Sequence, residues 1–189
     1  MTTTRISELM TAAAARTISV VQGIDDAQLG DPTPCDKFQV RDLLNHLFQV
    51  VVNFQALATR TPADFATTPD ALVGDWRSRF ATETETLAKA WSDPATLAGV
   101  SPGMGLPQEA VAGLVLLDLT VHGWDLAQAT GQPYTPDPDA VAAMHPLAEK
   151  MAPQARQMGV FATPTDAAPD ATLFDRLLSL TGRKPEPTP

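Results

Sequence analysis

The chain has 189 residues, 44% of them hydrophobic, and a formal net charge of −9 from 13 Lys+Arg against 22 Asp+Glu. That length fits one domain able to bury a substantial core, and the acidic balance argues against nucleic acid or an anionic membrane as a partner, since both call for a basic face. A single cysteine, Cys35, excludes an internal disulfide framework and any site built from several cysteines, and it fits a reducing, cytoplasmic setting.

The N-terminal stretch MTTTRISELMTAAAARTISVV has no continuous apolar segment and carries Glu8, so it reads as an amphipathic helix rather than a signal peptide. No window is expected to supply the ~18 apolar residues of a membrane span. The first helix is predicted from about Thr4 to Ile24, because Ile6, Met10, Ala13, Ala14, Ile18 and Val21 recur at helical spacing. GDPTPCDKF follows as a loop, with Cys35 expected to serve as a small buried hydrophobe. The second helix is predicted from Val40 to Thr59, with a stripe of Leu43, Leu44, Leu47, Val50, Val51, Phe54 and Leu57. Asp42 suits its positive end, while Gln39 is a weak cap.

RTPADFATTP is a connection, and a third helix is predicted over about Asp70–Ser92, with TETETLAKA as a solvated face. DPATLAGVSPGMGLP is too rich in Pro and Gly to be regular. The fourth helix starts near Pro107 and stops before Gly131, a C-terminal cap. A fifth, about Asp137 to Gly159, is expected to be interrupted at Pro146 and Pro153. A linker, FATPTDAAPD, leads to a short helix around Leu173–Leu180 closed by Gly182, and the tail RKPEPTP is expected to fray. No repeat and no alternating strand pattern is visible. The chain reads as all-α, a four-helix bundle with short additional C-terminal helices.

The fourth helix carries the unusual chemistry. In LDLTVHGWDL (117–126), Asp118, His122 and Asp125 interrupt an apolar run, although an unpaired charge in a core is costly. At ~100° per residue, Val111, Leu114, Val115, Asp118, Val121, His122, Asp125 and Ala129 share one stripe. Asp118 and His122, four apart, leave the same face one turn apart and can hold one cation between them. His46, on the edge of the second helix's stripe, is the candidate third ligand. Two imidazoles and a carboxylate suit a zinc site with an open position, and also nickel, iron or manganese. The competing reading is a buried hydrogen-bonded Asp118–His122 pair with His46 as a core-edge histidine. Asp125, one turn beyond His122, reads either as a residue that orients the His122 ring or as a polar residue near the helix end. His145 reads as a surface residue and Trp124 as a packing residue on the far side of the helix.

Taken together, Pro34-Cys35-x-x-Phe38-x-Val40-Arg41-Asp42-Leu43-x-x-His46 and Asp118-x-x-x-His122-Gly-Trp-Asp-Leu-Ala resemble the DinB-like (YfiT-like) metal-binding proteins. The closer likeness is to the actinobacterial branch related to the N-terminal domain of mycothiol-dependent maleylpyruvate isomerase, and Phe161 with Asp175-Arg176-Leu177-Leu178 and Thr181-Gly182-Arg183 share it. The resemblance implies an up-down-down-up four-helix bundle holding a divalent metal, usually Zn2+, on His46, Asp118 and His122. Along the chain, residues 1–160 read as the metal-binding bundle with its fifth helix, and 161–189 as linker, short helix and tail of the same domain.

The isomerase relatives carry Glu where this chain has Asp118, and an aromatic that is commonly Trp is Phe38 here. Related enzymes use thiols such as mycothiol or bacillithiol, so the resemblance implies a metal-dependent thiol S-transferase acting on an electrophile, with Asp125 near the thiol or the ring. The isomerases carry a separate C-terminal domain, and maleylpyruvate isomerisation itself is not expected here. A non-catalytic metal- or ligand-binding bundle, a bundle whose polar core only fixes register, and a metal-dependent hydrolase remain as other readings. Pairing of two copies through a helical face fits this type of bundle.

Overall fold

The computed structural model describes residues 3–185. Among these residues six α-helices follow one another: α1 (Thr3–Gln22), α2 (Val40–Ala58), α3 (Trp76–Ala90), α4 (Gln108–Thr130), α5 (Pro138–Gln157) and α6 (Leu173–Leu180), with short 3-10 turns at Asp26–Gln28 and at Pro94–Leu97, inside the segment expected to be irregular. Among the described residues no strand forms, only isolated bridges Pro32–Gln39 and Val100–Pro107 that pinch the loops before α2 and α4. The chain is all-α, as its periodicity predicts.

α1, α3, α2 and α4 pack in a closed ring, each against two neighbours, with α1 opposite α2 and α3 opposite α4. The stripes predicted for α1 and α2 fill the space between them. Met10, Val21, Leu43, Leu44, Leu47, Leu87, Leu116 and Leu119 are all buried. Polar groups inside this core find backbone partners, as buried donors must. Thr17 donates to the Leu119 carbonyl at 2.8 Å and ties α1 to α4. Trp91 Nε1 donates to the Phe54 carbonyl at 3.1 Å, while the Trp91 carbonyl accepts from Ser7. α5 lies outside the ring against α4 and α1, and α6 packs on α5.

Three expectations need correction. α3 begins at Trp76 rather than near Asp70, because Gly74 is left-handed (φ +61) and Asp75 then caps the helix by accepting from the Ser78 amide. α5 is continuous through Pro146 and Pro153. Each proline leaves the carbonyl four residues back without its helical donor, but Ala142, Pro146, Glu149 and Pro153 are all exposed, so water can satisfy those carbonyls. α4, in turn, is long and apolar enough to cross a membrane by length and composition, and most of it is buried inside the protein. A helix apolar on every side is a core helix when others surround it.

That burial changes the meaning of the stripe read on α4. From Val111 to Ala127 every residue is buried except Leu114 and Asp118, which are partly open. Solvent therefore reaches that line only at Leu114 and Asp118, while Asp125 on the same line is sealed. At the start of α2, the Asp42 carboxylate accepts the Gln39 amide at 3.1 Å, supplying the fixation that Gln39 alone lacks.

Candidate metal centre

α2 and α4 bring His46, Asp118 and His122 together, with one ligand atom from each lying within 4.8 Å of the others. His122 Nε2 faces Asp118 Oδ1 at 4.0 Å, a gap wider than a hydrogen bond. The rings of His46 and His122 meet edge to face at 5.1 Å, and Phe38 stacks on His46 at 5.5 Å. Phe38 thus forms a flat wall against the His46 ring.

The electrostatics favour ligation. Burial, reinforced by His122, lowers the pKa of His46 to about 3, with Gln49 opposing as a hydrogen-bond partner. Near neutral pH its ring is therefore uncharged and carries a free lone pair. Burial also raises the Asp118 carboxyl, against the pull of His122 and Arg183, and nearly a third of its side chain (30%) still reaches solvent. Among the described residues neither Asp118 nor Nε2 of His122 has a hydrogen-bond partner. A cation between them would satisfy both, so the donor set fits a divalent ion with N and O ligands.

The other side of His122 is fully engaged. Nδ1 lies 2.9 Å from Asp125 Oδ2, and Asp125 is wholly buried. A carboxylate at this distance favours the neutral tautomer with its proton on Nδ1 and the lone pair on Nε2. Arg183 grips the same carboxylate with both edges of its fork, Nη2 to Oδ2 at 2.7 Å and Nε to Oδ1 at 3.2 Å. Burial alone would raise the Asp125 carboxyl, but the His122 hydrogen bond and the guanidinium hold it below the usual carboxylate range. Asp125 in turn keeps Arg183 charged despite burial.

Arg183 overturns the expectation of a fraying tail: it is 5% exposed. The route is local. α6 ends at Leu180, Gly182 turns left-handed (φ +91), and the Arg183 amide returns to the Leu178 carbonyl at 2.9 Å. Thr165 reaches over from the linker, its amide on the Ser179 carbonyl and its hydroxyl on that of Arg183. An alanine at 182 would press its Cβ to 2.5 Å from Ala162. The rest of the expected tail, residues 186–189, lies outside the described residues. The signal available in sequence was Thr181-Gly182-Arg183 itself, a glycine cap followed at once by an arginine.

Cys35 also departs from its expected role. It is half-buried, and a ligand atom from each of Cys35, His122 and Asp125 lies within 4.8 Å of the others. The loop that carries it folds onto the site although it is eleven residues from His46 in sequence. Burial pushes its thiol up, partly offset by Arg183. The neighbouring residues Pro34 and Asp36 line a cleft of about 450 Å³ with Trp124, Gln128, Gly182 and Lys184. Trp124 is buried and meets Phe174 edge to face, in keeping with a packing role. His145 stays on α5, 3.5 Å from Glu149, mostly covered rather than on the surface, and it joins neither ligand group.

Comparison with known proteins places this geometry in context. Residues 10–127 match the family model described as the mycothiol maleylpyruvate isomerase N-terminal domain, a stretch that contains His46, Asp118, His122 and Asp125. Two uncharacterised proteins of Mycobacterium tuberculosis, from strains CDC 1551 / Oshkosh and H37Rv, are each 32% identical over 161 residues, covering 82% of this chain and 85% of their own. No solved structure matches the chain.

Proposed function

The chain belongs to the mycothiol maleylpyruvate isomerase N-terminal domain family, within the DinB-like superfamily, and from that premise we propose that it is a metal-dependent enzyme acting through a low-molecular-weight thiol of the mycothiol type. The observation that carries this reading is the set His46, Asp118 and His122, in which the Asp118 carboxylate and Nε2 of His122 have no hydrogen-bond partner among the described residues and the His46 ring is held uncharged.

The residues divide the work. His46 and His122 supply nitrogen, and Asp118 supplies the only carboxylate on the open side. Asp125 and Arg183 hold the His122 ring in the tautomer that turns Nε2 outward. Because Arg183 already neutralises Asp125, Asp118 is the only uncompensated charge among the proposed ligands. A dication in this set would retain net positive charge, lowering the pKa of an approaching thiol and favouring its anionic sulfur. Phe38 and the buried core behind His46 keep water from one side, while the partly open line of Leu114 and Asp118 gives the thiol and an electrophile a way in.

The reaction proposed is S-transfer by substitution: the thiol S–H bond breaks and its proton passes to solvent, the sulfur forms a bond to an electrophilic carbon, and the group it displaces departs with the electron pair of the bond broken. Zinc is the metal this ligand set suits first, ahead of nickel, iron and manganese. The test is metal analysis of protein purified without a histidine tag, followed by assay of mycothiol with a panel of electrophiles. We expect stoichiometric metal, lost in His46→Ala and His122→Ala, together with thiol-dependent turnover. Turnover no higher than that of His122→Ala across the panel would remove the enzymatic reading and leave a binding protein. Absence of metal in the unmodified protein, even after reconstitution, would remove both.

A further inference from the structure

Two ligand groups share His122 and differ in what fills them. In the first, His46, Asp118 and Nε2 of His122 have no hydrogen bonds to one another. In the second, formed by Cys35, Asp125 and His122, the carboxylate and Nδ1 are occupied. Asp125 takes two hydrogen bonds from Arg183, and Nδ1 is bonded to Asp125. The Arg183 guanidinium also lies 3.4 Å from Nδ1. This is a soft-and-hard donor set of thiol, carboxylate and imidazole, the kind that takes zinc or cadmium, with a fixed organic cation seated against it.

We propose that Arg183 occupies the cation position of a second, cysteine-containing metal site, so that the centre takes one ion where its side chains could hold two. The guanidinium cannot lose its proton in a protein, so its charge is permanent and repels a dication approaching the same carboxylate. The device is delivered by the C-terminal segment: Gly182, Thr165 and the end of α6 fix Arg183 in place. When Arg183 is removed, a divalent ion gains the Cys35 sulfur, an Asp125 oxygen and Nδ1 of His122, while the S–H and Nδ1–H protons leave to the buffer. No electron moves, and no bond beyond those to the ion is made.

Cadmium titration of the full chain reads this directly, because cadmium–thiolate bonds absorb in the ultraviolet. The wild type should bind cadmium without thiolate absorption and with the same stoichiometry as Cys35→Ser. Arg183→Met and Arg183→Gln should each take up about one further ion with that absorption. Both gains should vanish when Cys35→Ser is added, and Arg183→Lys, which keeps the charge, should not show the gain. Arg183→Gln retains a donor for Asp125, so it guards against Arg183→Met failing to fold, with circular dichroism as the check.

Thiolate absorption in the wild type would overturn the proposal. So would a folded charge-removing variant that gains no Cys35-dependent ion. The outcome is separable from the proposed function: loss of the first site through His46→Ala leaves the Cys35-dependent gain to be read independently, since that gain depends on Cys35, Asp125, His122 and Arg183 rather than on His46 or Asp118.

Discussion

The two sides of the His122 ring make an instructive pair. On the Nε2 side lie His46 and Asp118, partly open to solvent, with polar atoms left without partners. On the Nδ1 side lie Asp125 and Arg183, sealed and bonded to one another, with Cys35 at their edge. Both sides gather nitrogen and carboxylate ligands at similar spacing. The difference is one permanent cation. Where the protein supplies its own positive charge, the carboxylate is satisfied and the ring is held; where it supplies none, the ligands are left for something from outside. Ligand geometry alone therefore does not define a metal site. On the proposed reading, the charge already present decides which cluster is available.

The largest way to break this contrast is Asp125→Ala. It leaves Arg183 as an uncompensated buried charge, which costs about 3–5 kcal/mol when a buried pair loses one member. Urea denaturation of the metal-free protein should show a loss of that order. A loss below 1 kcal/mol would mean that Arg183 escapes to solvent and that the sealed side is not rigid.

Asp125→Asn is milder, because the amide preserves shape but no longer enforces the Nδ1–H tautomer. Metal affinity on the opposite side should fall about 10–100-fold, as for other residues that orient a ligating histidine. Competition with a chromogenic chelator measures this, and unchanged affinity would show that the two sides of the ring are uncoupled.

Gly182→Ala attacks the sealed side from its support. A left-handed conformation costs a non-glycine residue about 1–2 kcal/mol, and the new methyl would also crowd Ala162 and the Thr163 carbonyl. The variant should release the C-terminal segment to limited proteolysis ahead of the bundle. Equal protection of both regions would contradict this account of how Arg183 is delivered.

The smallest effect concerns the open side. His46 has a pKa of about 3 in the fold against an ordinary 6.5. The unfolded chain therefore binds more protons between those values, and stability rises with pH through that window. In metal-free protein the His46 contribution should erode as pH falls below about 6.5, modestly, because the residue is only partly covered and solvent screens the effect. Replacing His46 with Gln should flatten that part of the stability–pH curve; an unchanged curve would place the titration elsewhere.

Much of this was legible in the residues. The apolar period of α1, α2 and α4 specified helices, because burying a stripe at 3.6-residue spacing leaves few alternatives. The Asp118–His122 spacing made them neighbours on one face before any partner was known, since i and i+4 side chains always are. Proline was the less reliable guide. Pro146 and Pro153 do not break α5, because local sequence shows the lost donor but not whether water can replace it.

What the sequence determined, then, is everything set by short range: the helices, the same-face Asp118–His122 pair, and an ionisable residue one turn beyond it. Only the tertiary structure decided which distant groups those residues meet. The loop before α2 brings in Cys35, α2 brings in His46, and the turn at Gly182 returns Arg183 across 58 residues to Asp125. The physical reason is that hydrogen bonds and charges act over a few ångströms of space. Separation along the chain carries no information about such distances until the helices have packed.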